Sequence, residues 1–162
     1  MENKTGLMAA KSAKSFVENG EQYIEAVYQK APPQDKGAIE RTVVAGMKVM
    51  FSPQTHKYML QTLSGDGDLP AKLSTGIVQL VILLHQKTKG AIPMNVMMPA
   101  AAILLVRAGE YVDKTEGGMN MDVFGEALKL MVAGVYREVQ KMLEKQGVKP
   151  EQQAAPQPIG GV

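Results

Sequence analysis

The chain has 162 residues, enough for one hydrophobic core and too few for two full domains. It has no cysteine, so it can form neither a disulfide framework nor a thiolate zinc site, which fits a reducing compartment of synthesis. Its 18 Lys and Arg are interleaved with 16 Asp and Glu for a net charge of +2, so the clustered cations of a nucleic-acid binder are missing and no specific nucleic-acid motif occurs.

The N-terminal M-E-N-K-T-G-L-M-A-A-K lacks the apolar core of a secretory signal. Residues 8–31 read as the first helix. Phe16, Gly20, Ile24, Val27 and Tyr28 recur every three or four positions as one apolar stripe, with Glu18, Glu21 and Glu25 mostly off it. Asn19-Gly20 is a candidate break, and Pro32-Pro33 ends the segment because proline disfavours helix in the residue before it. A second helix spans 34–51, with Ile39, Val43, Met47, Met50 and Phe51 on its buried side. Ser52-Pro53 looks like a fresh start, Ser as cap and Pro at the first helical position, for a short helix carrying Tyr58, Met59, Leu60 and Leu63.

The loop Ser64-Gly65-Asp66-Gly67-Asp68 leads into a helix over 69–87, with Asp68 as its cap. Leu69, Leu73, Ile77, Leu80 and Leu84 share one face, and Val78, Val81 and Leu83 widen it, as in a helix buried on several sides. Lys89-Gly90 ends it. The next helix starts between Pro93 and Pro99 and runs to about 113, with Met97, Ala101, Leu104, Ala108 and Tyr111 as its stripe and small side chains at Ala100, Ala101 and Ala102 for close approach. Glu116-Gly117-Gly118 is a turn. The last helix, 121–146, has Asn120 or Asp122 near its cap. Phe124, Leu128, Met131, Val135, Val139, Met142 and Leu143 form its stripe, with Glu126, Lys129, Arg137, Lys141 and Glu144 opposite. The expected architecture is therefore all-α: five or six helices in one domain over 1–147, followed by a flexible Pro/Gln/Gly tail over 148–162 that cannot bury enough apolar surface to fold alone.

Two apolar runs, 76–84 and 90–106, flank the polar link His85 to Lys89. The second has no charged residue. It stops short of the ~20 residues a simple spanning helix needs and is interrupted by Pro93 and Pro99, so a constitutive membrane protein is not expected. Such a surface must be covered by the rest of the chain, by other copies, by a partner or by lipid. The candidate assembly or membrane interface is accordingly Ile77, Leu80, Leu84, Lys87, Lys89, Met94, Met97, Met98 and Leu104. Methionine is flexible and suits adaptable contacts, and it equally fills ordinary cores.

Catalytic signals are weak. Asp66-Gly67-Asp68 lacks the later oxygen ligands of a calcium loop, because Leu69-Pro70-Ala71-Lys72 follows; it reads as a turn and cap. His56 and His85, the two histidines, have no second His or Glu at helical metal spacing. There is no phosphate loop, no G-x-S-x-G and no H-E-x-x-H. No cofactor, metal or catalytic residue is expected, and the chain reads as non-enzymatic.

The run L-S-T-G-I-V-Q-L-V-I-L-L-H-Q-K-T-K-G-A-I-P-M-N-V-M-M-P-A-A-A-I-L-L-V resembles small virion proteins of short-tailed bacteriophages. In those, an apolar helix, a short "Q-T-G-G-x-I-P"-like link and a second apolar helix beginning near "P-A-A" recur. The resemblance covers about residues 64–113, plus a tail ending A-A-P-Q-P-I-G-G-V. Lys87 and Lys89 make the link here more basic than the glycine-rich form. What the resemblance implies is a virion component of the head or head–tail region, made in the host cytoplasm and assembling in many copies. Its partners would be other copies and other virion proteins of the portal, tail or interior. In the more specific version it is ejected with the genome, meets the membrane conditionally and lines a conduit through the host envelope. The alternative is a helical adaptor or chaperone-like protein that holds a partner helix against a Met-rich groove.

Overall fold

A computed structural model describes the backbone of residues 2–51 and 56–145, with side chains over 16–51 and 57–145. The described residues form six helices and no strand: α1 (Glu2–Lys30), α2 (Pro33–Phe51), α3 (His56–Leu63), α4 (Leu69–Lys87), α5 (Met94–Thr115) and α6 (Met121–Lys145). The fold is all-α, as the apolar periodicity predicts. The expected start at Ser52-Pro53 and the expected tail lie outside the described residues.

Two local expectations are corrected. α1 starts at Glu2 rather than near Met8. Asn19-Gly20 does not break it. A Cβ on Gly20 would lie 2.8 Å from Val106 Cγ1, so this glycine serves the approach of α1 to α5 rather than a turn. α5 starts at Met94, within the range expected, and Pro99 sits inside it. The proline removes one amide from the helix ladder, and the flanking turns carry the helix through.

The helix ends follow their residues. Asp68 Oδ1 accepts the Ala71 N–H at 3.1 Å, capping α4, and Pro70 occupies its first turn. Asn120 Oδ1 accepts the Val123 N–H at 2.9 Å and caps α6, so of the two candidates it is Asn120 that does so. α4 closes with the Lys89 N–H donating to the Gln86 carbonyl at 3.0 Å and the Gly90 N–H to the His85 carbonyl at 2.8 Å, the paired bonds of a Schellman end. At the far end of α5, the Glu116 and Gly117 N–H groups both donate to the Val112 carbonyl at 2.8 Å.

α5 is the axis of the bundle and touches α1, α2, α4 and α6. Val96, Met97, the whole stretch from Ala100 to Val106, Ala108, Gly109 and Val112 are buried, so nearly every side of this helix is covered. The broadest contacts of the fold are α4 on α6 and α2 on α5, while the short α3 bridges α2 and α4. Small residues set the closeness: a Cβ on Gly46 would meet both Leu104 methyls, and one on Gly134 would lie 2.8 Å from Val78 Cγ2. Phe124 fastens α6 to α1 through Phe16 and an edge-on Tyr23, whose ring centroid is 5.0 Å away.

Candidate functional site

The nine residues of the expected interface divide into three groups. Ile77, Leu80, Leu84, Met97 and Leu104 are buried within the chain's own core, none more than 6 % exposed. Met94 and Met98 are half-buried. Lys87, the last residue of α4, and Lys89, on the link to α5, are exposed. The fold thus brings the two apolar runs together in adjacent helices, and the chain itself covers them. Among the described residues no helix is long and apolar enough to cross a membrane.

The link is built tightly for a polar loop. Thr88 Oγ1 donates to the Leu84 and His85 carbonyls at 3.0 Å each, Lys89 takes a positive φ of 56°, and Gly90 follows at 79°. His85 is half-buried beneath it, with Nδ1 buried and unpartnered, and His56's side chain lies outside the described residues. Among the described residues no three of His, Asp and Glu converge to hold a metal ion.

Other polar contacts join elements. Tyr58 Oη donates to the Gly76 carbonyl at 2.6 Å, and burial pushes its phenol up to about 12. The Arg107 guanidinium lies between Glu110, at 2.8 Å, and Glu21 of α1. Asn95 Nδ2 donates to Asp35 Oδ2 at 2.9 Å, tying the start of α5 to the start of α2. Each of these ties two elements together.

Two grooves flank α6. One, of about 460 Å³, runs between α4 and α6 over Ala71, Val78, Ile82, Leu130, Gly134 and Arg137. The other, of about 430 Å³ and largely apolar, lies between α1, α5 and α6 over Tyr23, Val27, Met98, Pro99, Leu128 and Val132. Leu130 on the first groove and Val132 on the second remain 42 % and 36 % exposed, and Tyr136 of the same helix is 38 % exposed. The apolar stripe drawn along the last helix omitted these three. They were legible as large apolar residues on its charged side, between Lys129 and Arg137. Of the expected interface only Met98 lines the second groove. Compared with family models, curated proteins and solved structures, the chain matches none.

Proposed function

We propose that the chain is a non-enzymatic structural protein of a short-tailed bacteriophage virion, placed in the head or head–tail region and assembling in several copies. The observation that supports this reading is where the resembling segment lies. Its two apolar helices are α4 and α5, the innermost pair of the fold, and its basic link is the last turn of α4 with the exposed turn that follows it. The segment is therefore central to the domain rather than an appendage to it. The test is mass spectrometry of purified particles. A fixed copy number supports the reading, and absence from the particle overturns it.

The ejection version asks more of the molecule. Its conduit would use apolar residues that the folded chain holds inside, so α4 and α5 would have to part from the bundle before meeting lipid. An adaptor is the second reading, favoured by the groove between α1, α5 and α6 with Met98 on its wall and exposed Val132 on its rim. A one-to-one complex that Val132→Glu abolishes would support it. A complex indifferent to that change would count against the groove.

A further inference from the structure

α6 carries a stripe whose charges are arranged to meet themselves. Asp122, Glu126, Leu130, Ala133, Arg137 and Lys141 follow one another at spacings of four, four, three, four and four, so all six lie along one face of the helix. All six are exposed. The order is acid, acid, apolar, small, base, base, symmetrical about the midpoint between residues 131 and 132. Asp122, Glu126 and Arg137 have no ion-pair partner among the described residues, and Lys141 makes only a 3.4 Å pair with Glu138 on its own helix.

We propose that this face is an interface between two copies of the chain, with the α6 helices packed antiparallel about a twofold axis at that midpoint. In that register Asp122 faces the second copy's Lys141, and Glu126 faces its Arg137. Leu130 packs on its Ala133, whose small side chain allows close approach. The twofold repeats each contact, so four opposite-charge pairs close over an apolar centre. A parallel pairing in register would set acid against acid and base against base, so the pattern selects orientation. The groove between α4 and α6 adjoins the stripe at Leu130 and Arg137 and gives the second copy's side chains room. The acids also lie toward the N-terminal half of α6 and the bases toward its C-terminal half, as the helix dipole favours; that alone explains neither the mirror spacing nor the exposed Leu130.

The test is sedimentation velocity of the full chain at low and high salt, with a charge swap. Glu126→Arg puts arginine opposite arginine twice, and Arg137→Glu puts acid opposite acid. Each single change is expected to raise the dimer dissociation constant roughly tenfold or more, while the double change Glu126→Arg/Arg137→Glu restores the parent value. High salt should weaken the parent dimer. Circular dichroism checks that each variant is folded. A monomeric parent overturns the proposal. So do single variants that associate like the parent, or a folded double variant that stays monomeric. The dimer rests on the self-association in the reading above and not on the virion setting. A monomeric chain found at fixed copy number in particles defeats the dimer alone. A dimeric chain absent from particles defeats the virion reading alone.

Discussion

Lys89 occupies the left-handed position that ends a Schellman-closed helix, with φ at 56°, where glycine is the usual occupant. A Cβ there costs roughly 1–2 kcal/mol, and glycine returns part of that by its greater freedom in the unfolded chain. Lys89→Gly should therefore raise stability by about 0.5–1 kcal/mol, seen as a higher urea midpoint with unchanged slope; a lower midpoint would show that the lysine side chain holds the link in some other way. Two helical glycines make the opposite pair. A Cβ on Gly46 would sit 2.6 and 2.7 Å from the two Leu104 methyls, whereas one on Gly125 meets nothing within 4 Å. Gly46→Ala should lose about 1–3 kcal/mol by overpacking. Gly125→Ala should gain up to about 1 kcal/mol from helix propensity alone. Thermal melts of the two variants, moving in opposite directions, check both. The same sign for both would mean that helix propensity or packing alone governs these sites.

At the scale of elements, α3 depends most on its neighbours. Eight residues do not hold a helix in water unaided, so its order comes from buried Met59 and from the Tyr58 bond to α4. Tyr58→Phe removes that bond and should lower stability by about 1 kcal/mol at neutral pH. It also removes a titration. The folded phenol stands at about 12 against an ordinary value of 10.0, so the folded state keeps its proton where the unfolded state loses it. That contribution is complete below pH 10 and is lost as pH rises through 12. Urea titrations across this range should show a shallower alkaline decline for the variant than for the parent. Parallel curves would mean the phenol is as free as in the unfolded chain. The sequence made the helices legible because each buries a stripe recurring every three or four residues, and the caps legible because Asp68 and Asn120 carry the oxygen that a helix start needs. Asn19-Gly20 misled because a turn signal and a packing glycine are written with the same residue. Leu130, Val132 and Tyr136 escaped because a stripe is drawn through the residues that fit it. The expected interface was read from apolarity alone, and periodicity shows that a face must be covered without showing by what. For Leu80 and Leu104 the cover is the chain itself.

At the scale of the whole molecule, any membrane role is tied to the stability of the fold. Ile77, Leu80, Leu84, Met97 and Leu104 belong to one continuous core. Exposing each side chain costs roughly 1.5–3 kcal/mol, so releasing the five costs on the order of 10 kcal/mol, comparable with the whole stability of a domain. α5 also contacts α1, α2 and α6, so it cannot leave with α4 while the remainder stays intact. Contact with lipid should then follow unfolding rather than precede it. At neutral pH the folded chain is expected to leave anionic vesicles sealed. Mild acid or heat should release dye only where the chain opens, with Lys87 and Lys89 then favouring anionic headgroups. Leu104→Ala tests the linkage without adding a charge. The cavity it leaves beside Gly46 should lower stability by about 2–5 kcal/mol and move the onset of release to milder conditions by the same shift as the melt. Hydrogen exchange of the α4 and α5 amides, followed in the same samples, decides the matter. Release while those amides stay protected would show a membrane-active surface outside the core. A variant that melts earlier but releases no earlier would separate opening from lipid contact. If neither protein releases dye even when opened, the conduit is lost and the structural role stands alone.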